Sequence, residues 1–434
     1  MKKILVFVLI LAFLCAGTMV FATGQQETVA KEEVVITIPH YKAGQNVGAK
    51  FFLPQVERFN KKYEGTYKLV IEEIPQDSYM TKIKQMAQQN KLPALIEGSD
   101  KKWFDEVIIR NGMFLDLSDW LKNNKAISDL VIQESLDYVT TPDGKVTAFP
   151  LTFVRPIGMY YNSTMVDFDK PVGEMTIDEF GEALGDQKIA FMTAENAWTT
   201  SLFFTSIVVE EGGADVLKAG VNDKITDYTT DLWVRSFTKL QYFLQNHASA
   251  NTLGAAYADA ANSFMSRNSA AIANGTWMVG DFAPSSSDKW SNGFTGDQVT
   301  ACVYPGNMAI ANNEGSTWWI PSNISEGEKD AALAFLGFIY SPAELEAFLL
   351  AEGGNAPRLE VSADYKKKLA ENKLLSELDK AINADTVFTS FVLDVMPASV
   401  ANEDWGRLLP KLMDGTYTPL QFGKELSRKA VNAK

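Results

Sequence analysis

Three short apolar runs alternate with two amphipathic segments near the start of the chain. The apolar runs are residues 34–38, 68–72 and 92–96, and each has the length of a strand. Residues 51–60 and 79–90, which lie between them, carry apolar side chains at helical spacing. Because parallel strands need a crossover connection, usually a helix, this βαβαβ order predicts a layered α/β fold with a parallel sheet.

The N-terminus has the pattern of a secretory signal peptide. Lys2-Lys3 forms a positive start, residues 4–16 are apolar, and Val20-Phe21-Ala22 offers small or branched side chains before a cut. The apolar run is too short for a comfortable membrane span. We therefore expect residues 1–22 to be a signal peptide and the mature protein to be periplasmic.

A lipid anchor on Cys15 is the alternative fate of this N-terminus. Lipoprotein processing normally needs a small residue directly before the cysteine, and Leu14 is large. We therefore expect a secreted product without a lipid anchor.

The chain is acidic. It has 40 Lys and Arg against 54 Asp and Glu, which gives a net charge of −14 at pH 7. Removal of the signal peptide takes away lysines and no acids, so the mature protein is more acidic still. This balance argues against nucleic acid or an anionic membrane surface as a partner.

Metal-ligating and nucleophilic residues are scarce. The histidines are His40 and His247, and Cys302 is the cysteine that remains after signal peptide removal. These residues are too few and too scattered for a zinc or iron site rich in His or Cys. No Walker, dinucleotide-binding or calcium-binding motif is present either. We therefore expect no metal and no cofactor.

Residues 264–277 predict an aromatic side chain at the end of a buried strand. Asn268 is expected to end the preceding helix in the left-handed conformation. Ala270-Ala-Ile-Ala273 is typical of a strand covered on both faces, and Asn274-Gly275 allows a sharp turn. Trp277 then follows the strand's carboxyl end, where ligands bind in open α/β sheets. The alternative is that Trp277 fills the core.

Other aromatic, amide and carboxylate side chains also follow predicted strands. Flat aromatic rings pack against the C–H faces of sugar rings, while amides and carboxylates bond to the hydroxyls. The candidate ligand-binding residues are Trp277, Trp198, Trp405, Tyr41, Asp100, Trp103, Asn196, Asp281, Trp318 and Asn355. For the aromatic residues the alternative is burial in the core, and for Asp100 it is a helix cap.

Two further features concern the access to this site. Trp318 and Trp319 lie on opposite faces of one predicted strand, so we expect one ring to be buried and the other to reach the cleft. Residues 283–296 form a polar excursion after Trp277 with Trp290 near its tip. This excursion is either a lid over the ligand or a surface loop.

Four stretches resemble extracellular solute-binding proteins of family 1, the sugar-capturing components of ABC importers. They are Gly144-Lys-Val-Thr-Ala-Phe-Pro150, Gly158-Met-Tyr-Tyr-Asn162, residues 264–277 and Gly353-Gly-Asn-Ala-Pro357. With the signal peptide and the βαβ start, the similarity covers nearly all of the mature chain. One departure is Asn268, where the family commonly has glycine, but Asn can adopt the same backbone conformation.

The resemblance implies a two-lobed, Venus-flytrap α/β fold with discontinuous lobes, a hinge and three crossings of the chain between the lobes. The N-terminal lobe would comprise residues 34–153 and 300–340. The C-terminal lobe would comprise residues 154–299 and 341–434.

The resemblance also implies roles for three tryptophans. Trp277 matches the stacking aromatic of the family, and Trp198 and Trp405 match two others. A sugar held between the lobes would then be stacked on these rings.

These observations predict a non-catalytic, monomeric protein. We expect it to capture a carbohydrate, an oligosaccharide or other sugar, to close about its hinge, and to deliver the sugar to the transmembrane subunits of an ABC permease. One alternative is the same fold with a non-sugar solute, which would need paired charges in the cleft. The other is a secreted glycoside hydrolase, which would need two juxtaposed carboxylates from acids such as Glu195, Asp281 and Glu314.

Overall fold

The computed structural model describes residues 32–44, 48–98, 103–153, 155–221, 223–311 and 317–433 as a mixed α/β chain. The strands are β1 (Val34–His40), β2 (Tyr67–Glu73), β3 (Ile96–Glu97), β4 (Pro156–Asn162), β5 (Ala271–Gly275), β6 (Val299–Cys302), β7 (Met308–Ala311), β8 (Trp318–Trp319) and β9 (Val387–Thr389). The α-helices are α1 (Ala49–Lys62), α2 (Gln76–Gln88), α3 (Ser118–Asn123), α4 (Lys125–Ser128), α5 (Gln133–Val139), α6 (Ile177–Leu184), α7 (Trp198–Val208), α8 (Ala214–Gly220), α9 (Asp231–Asn246), α10 (Tyr257–Met265), α11 (Glu326–Ile339), α12 (Pro342–Glu352), α13 (Ala363–Glu371), α14 (Lys373–Ala381), α15 (Trp405–Met413) and α16 (Pro419–Asn432).

Shorter helical segments complete the described chain. The 3-10 segments are Val172–Glu174, Thr276–Phe282, Pro284–Lys289, Gly296–Gln298 and Val392–Val395, and the π-helical ones are Phe104–Ile109, Val209–Gly213 and Val400–Asp404. Across the described ranges, no single helix has both the length and the apolar character of a membrane span, whereas α11 and α12 meet those criteria only as a bent pair.

The predicted βαβ start is confirmed for its first two strands. β1 and β2 pair in parallel, with Val34 opposite Tyr67, and α1 connects them with Phe52 and Phe59 on its buried face. The third predicted strand is shorter than expected. Its two residues in β3 pair antiparallel with β8, where Ile96 lies opposite Trp319. This part of the fold is therefore completed from a much later part of the sequence.

A second sheet is organised around β4. β5, β6 and β7 all pair antiparallel with β4, and β9 pairs in parallel with β7. Every residue of β5 is buried, as the apolar run Ala270–Ala273 predicted. The helix before it ends in a left-handed residue, but that residue is Arg267, with φ of 59°, and not Asn268.

Buried side chains form two main cores that correspond to the two expected lobes. The N-terminal core draws its residues from 36–153 and 318–365. The C-terminal core draws its residues from 157–310 and 392–430, and a smaller cluster within 160–382 adjoins it. Each core is assembled from two separate stretches of chain.

The strand pairing favours lobe boundaries that differ from those the resemblance implies. β6 and β7 find their hydrogen-bonding partners on β4, which places residues 299–311 with the C-terminal core. α12 packs instead on the N-terminal core, where Phe348 meets Phe51 of α1 at 5.4 Å between ring centroids. We therefore propose that the chain crosses between lobes at residues 153–156, 311–317 and 352–374.

The polar excursion at 283–296 is packed against the C-terminal lobe. Trp290 is buried, its indole N–H donates to the Asp281 carbonyl at 3.0 Å, and its ring meets Phe294 and Phe282 edge-on. The tryptophan that marked this segment as a lid candidate therefore serves as a hydrophobic anchor.

Candidate ligand-binding cleft

A cavity of about 640 Å³, here called the cleft, lies between residues of the two lobes. Pockets for small ligands typically have volumes of roughly 300–1,000 Å³. The N-terminal lobe contributes Met80, Lys84, Phe104, Asp105, Tyr138 and Thr140 to its walls, and the C-terminal lobe contributes Asn196, Trp198, Lys224, Phe391, Asp394 and Asn402. The walls thus combine aromatic rings, amides and charges of both signs.

Trp198 lines the cleft from the C-terminal lobe, and Trp277, which is not among the lining residues, is its neighbour. Residues 189–192 run parallel to β5, and the Ala190 N–H donates to the Ala271 carbonyl at 2.8 Å. Because the carboxyl ends of parallel strands share one edge, the loops that follow bring Trp198 and Trp277 together. Their ring centroids are 5.5 Å apart.

The loop before Trp198 is held in a strained conformation. Glu195 and Ala197 have φ values of 55° and 49°, a region that costs a non-glycine residue roughly 1–2 kcal/mol. Such residues cluster at functional sites. The hydroxyl of Thr200 donates to the Met192 carbonyl at 2.7 Å and thereby fixes the start of α7 against the strand.

Trp277 lies directly on the backbone of Gly275. A Cβ at Gly275 would be 2.2 Å from the indole ring, so no other residue fits there without displacing the ring. Asn274, the residue before Gly275, donates from Nδ2 to the Tyr257 hydroxyl at 3.1 Å. The Asn-Gly pair in the sequence therefore both ends the strand and seats the tryptophan.

Arg155 connects Trp277 to the N-terminal lobe. Its guanidinium carbon lies 5.1 Å from the Trp277 ring centroid and 5.6 Å from that of Phe348, within the range of cation–π attraction. Its Nη1 is 3.9 Å from Oε2 of Glu352. These side chains form a contact across the lobes at the first crossing.

A buried charge network stands at the ends of β1 and β3. Glu97 is 3% exposed and accepts hydrogen bonds from Lys42 Nζ at 2.6 Å and from His40 Nε2 at 2.7 Å. The backbone N–H of Lys42 donates to His40 Nδ1 at 2.9 Å. Because Nδ1 accepts, the proton of His40 is on Nε2 and the ring is neutral.

The pKa shifts agree with this assignment. Burial lowers the pKa of His40, and its hydrogen bond to Glu97 only partly opposes that effect. Burial alone would raise the pKa of Glu97, but the charge of Lys42 and the bond from His40 outweigh it and bring that pKa to about 2. Tyr41 stacks on His40 at 4.9 Å, and burial raises the pKa of its hydroxyl.

The predicted aromatic residues of the N-terminal lobe, Tyr41, Trp103 and Trp318, are not among the residues that line the cleft. Trp103 is partly buried, with Lys84 Nζ 5.9 Å from its ring centroid. Trp318 and Trp319 are both buried, contrary to the expectation that one would reach the cleft. Trp318 stacks on His40 at 5.4 Å and lines a separate cavity of about 40 Å³ together with Lys42, Glu97 and Glu352.

Asp281 and Asn355 are not among the residues that line the cleft. Asp281 is only partly buried, and its carboxylate is paired with Lys289 Nζ at 2.5 Å. Asn355 is exposed. Asp100 lies outside the described residues. Asn196, in contrast, lines the cleft beside Trp198.

Trp405 is a core residue in this structure and not a stacking surface. It is fully buried, its indole N–H donates to Ser201 Oγ at 2.7 Å, and its ring stacks on Phe204 at 5.2 Å. Both partners belong to α7, the helix that begins at Trp198. Trp405 therefore supports the cleft wall from beneath, because its helix packs its apolar face inward.

Replacing Trp405 by phenylalanine should lower the free energy of unfolding by about 1–3 kcal/mol. The change removes the hydrogen bond to Ser201 and leaves a small void against Phe204. Chemical unfolding measured by circular dichroism would show the loss. Reduced ligand affinity with unchanged stability would instead indicate that Trp405 contacts the ligand.

Glu195 and Asp281, two of the acids considered for a glycoside hydrolase, are not among the residues that line the cleft. Glu195 is exposed and Asp281 is committed to Lys289, while Glu314 lies outside the described residues. Nor do the described residues contain a group of at least three His, Cys, Asp or Glu side chains that could hold a metal ion.

Sequence reasoning missed Arg155, Glu352 and Lys42. Lys42 adjoins Tyr41 after the first strand, so the rule that pointed to Tyr41 could have included it. Glu352 directly precedes the Gly353-Gly354 motif, but it ends a helix and so looks like an ordinary surface glutamate. Its burial follows from the packing of α12 against the other lobe, which local sequence does not reveal.

The fold and the cleft define a solute-binding protein, and sequence comparison identifies the family. The family model described as bacterial extracellular solute-binding protein matches residues 55–377. The chain belongs to this family, which confirms the predicted membership. No curated protein sequence gives a significant match.

Solved structures of solute-binding proteins share the two-lobed fold. A chitin oligosaccharide binding protein is 17% identical with a TM-score of 0.69, covering 92% of this chain and 99% of its own. A Streptococcus pneumoniae solute-binding protein in complex with the blood group A-trisaccharide is 18% identical with a TM-score of 0.68, covering 91% and 99%. A family 1 protein from Bifidobacterium longum subsp. infantis is 18% identical with a TM-score of 0.58, covering 92% and 100%. At these identities the similarity shows the fold and not the ligand.

Proposed function

We propose that this protein is the carbohydrate-binding component of an ABC importer and that it binds an oligosaccharide or other neutral sugar in the cleft. The observation that carries the proposal is the meeting of Trp198 and Trp277 at one edge, 5.5 Å apart, beside a cleft with amide and hydroxyl side chains. Aromatic faces suit the C–H faces of sugar rings, and polar groups suit the hydroxyls.

The size and charge of the cleft support a neutral ligand. Its volume of about 640 Å³ suits a short oligosaccharide. Among its described lining residues, Lys84 and Lys224 are balanced by Asp105 and Asp394. Lys224 is moreover tied to carbonyls, since its Nζ donates to Val221 and Asp394 oxygens at 2.6 Å each. An anionic or cationic solute would need an excess of one charge, which the described walls do not supply.

The protein binds its sugar by closing the two lobes around it, and it catalyses no reaction. A ligand that contacts both walls of the cleft stabilises the closed state over the open one. The resemblances to a chitin oligosaccharide binding protein and to a trisaccharide complex support this ligand class. The family assignment supports an extracellular location, and the N-terminal sequence supports secretion to the periplasm. We infer that the protein acts as a monomer and delivers its sugar to permease subunits.

Titration of intrinsic tryptophan fluorescence with a ligand panel tests the proposal. The panel should contain chitin oligosaccharides, xylo-oligosaccharides, raffinose and galactose, with amino acids, dicarboxylates and polyamines as the competing classes. We expect saturable binding by at least one sugar. A response confined to the competing classes would overturn the sugar assignment, and new reducing ends after incubation would indicate a hydrolase.

Replacing Trp198 by alanine should weaken binding of the responding sugar by roughly 5- to 30-fold. The variant removes one of the two aromatic faces, and a buried aromatic contact contributes about 1–2 kcal/mol. Calorimetry gives the affinity without relying on the removed fluorophore. Trp120→Phe is the matched control, because Trp120 packs on Phe149 in the N-terminal core and should leave the affinity within about twofold. Equal affinity of wild type and Trp198→Ala would exclude Trp198 from the site.

A further inference from the structure

Glu352 stands out among the buried carboxylates because no described residue donates a hydrogen bond to it. Its residue is 7% exposed. Its nearest charged partner among the described residues is Arg155, at 3.9 Å between Nη1 and Oε2, which is beyond hydrogen-bond distance. No described residue donates a hydrogen bond to this carboxylate, in contrast to Glu97, which accepts from two side chains. The Glu352 side chain keeps 10% exposure, so a small molecule can reach the carboxylate and donate the hydrogen bond that no described residue supplies.

The surroundings of Glu352 connect it through Arg155 to Trp277, although Glu352 does not line the cleft of about 640 Å³ itself. Arg155 lies between Glu352 and the Trp277 ring, 5.1 Å from the ring centroid. The next residue, Gly353, packs so closely on Thr276 that a Cβ there would be 2.3 Å from the threonine side chain. Trp277 directly follows Thr276 in the sequence. The close packing of Gly353 on Thr276 therefore fixes the Glu352 carboxylate relative to Trp277. It also lines the cavity of about 40 Å³ that lies beside Lys42.

We propose that Glu352 and Arg155 form a hydroxyl-binding subsite next to Trp277, in which a sugar hydroxyl donates to Glu352 and accepts from Arg155. This inference rests on the proposed function and specifies one of its contacts. A hydroxyl oxygen can lie roughly 2.8 Å from both groups across their 3.9 Å separation, since the two bonds then form a bent bridge. A carboxylate is an acceptor only and a guanidinium is a donor only. The pair therefore selects a group that does both, and a neutral sugar ring supplies it.

The stability of the ligand-free protein shows whether Glu352 serves ligand binding or stabilises the fold. Burial raises the pKa of Glu352, and the charges of Arg155 and Lys42 oppose that shift. A raised carboxyl pKa means that the folded state disfavours the charged form, so the ionised group destabilises the ligand-free fold at neutral pH. Removing the charge of Glu352 should then leave the ligand-free protein as stable or more stable, while it weakens sugar binding.

Glu352→Gln is the variant that tests the subsite. We expect it to bind the tightest sugar of the panel about 10- to 100-fold more weakly, the range for hydrogen bonds to a charged group. We also expect its ligand-free melting temperature to equal or exceed that of the wild type. Glu344→Gln, on the same helix and paired with Arg58, is the matched control and should leave the affinity within about twofold.

Monodeoxy analogues of the same sugar identify the hydroxyl. In the wild type, one analogue should lose about tenfold or more in affinity, and in Glu352→Gln the same analogue should bind as the parent sugar does. If the wild type binds sugar and Glu352→Gln binds it equally well, the subsite is wrong while the proposed function stands. A lower melting temperature with unchanged affinity would assign Glu352 a structural role. If the wild type binds no sugar, the proposed function and this subsite both fail.

Discussion

Replacing Glu97 by alanine should lower the free energy of unfolding by about 3–5 kcal/mol, the largest effect on stability that we expect from a single change. Glu97 accepts the hydrogen bonds of both Lys42 and His40 in the N-terminal lobe. Its removal leaves an ammonium and an imidazole N–H without their acceptor, and the loss of one member of a buried ion pair has a cost of this size. Urea unfolding followed by circular dichroism would measure it.

Two further variants show whether the loss comes from the network. Glu97→Gln keeps the shape and one acceptor and should lose less than Glu97→Ala. Glu326→Ala breaks an exposed Glu–Lys pair in which Glu326 is 84% exposed, and it should change the stability by no more than about 0.5 kcal/mol. Similar effects of Glu97→Ala and Glu326→Ala would contradict the buried network.

The pH dependence of the wild type follows from the same groups. The pKa of Glu97 falls from its ordinary 4.5 to about 2 in the fold. Its contribution to stability is therefore present above about pH 4.5 and is lost as the pH falls toward 2. The lowered pKa of His40 reduces stability at a higher pH than Glu97 does. Near pH 6.5 the histidine of the unfolded chain takes up a proton, whereas the folded ring stays neutral. We expect stability to decline from about pH 6.5 downward.

Replacing Trp277 by alanine should weaken sugar binding by roughly 30- to 150-fold. The indole is fixed on Gly275 and faces Trp198 and Arg155. A pre-positioned tryptophan of this kind typically contributes about 2–3 kcal/mol to binding. Calorimetric titration of the responding sugar into wild type and variant gives the ratio directly.

Gly275→Ala tests whether binding needs the Trp277 ring at its present position or only needs a tryptophan at this residue. A Cβ at this residue would meet the ring at 2.2 Å, so the variant should displace Trp277 and weaken binding although the tryptophan is retained. Trp277→Phe keeps an aromatic face and should be milder than Trp277→Ala. Wild-type affinity in all of these variants would show that the ligand does not stack on Trp277.

Local sequence predicted those parts of the site that depend on where a strand ends. The apolar run before Asn274 and the loop before Trp198 were sufficient to place both tryptophans at one edge, because parallel strands share their carboxyl ends. The placement of Trp405, Trp318 and Trp290 could not be predicted in this way. Their burial depends on which helix or sheet lies opposite, and that is decided by residues far away in sequence.

The lobe boundaries depend in the same way on partners that local sequence does not reveal. An apolar strand such as β6 or β7 can be recognised from its composition, but its hydrogen-bonding partner cannot. Pairing with β4 places both strands in the C-terminal lobe. Glu352 was missed because a glutamate at a helix end is usually solvated, whereas the packing of α12 in the fold leaves this one 7% exposed.

The discontinuous cores bear on the order in which the chain can fold. The N-terminal core needs residues up to 365, and the C-terminal core needs residues up to 430. During synthesis neither core can be completed until most of the polypeptide has left the ribosome. Contacts of such long sequence separation also slow folding. A precursor built in this way stays extended for longer, which suits passage through a narrow export channel before the native structure forms.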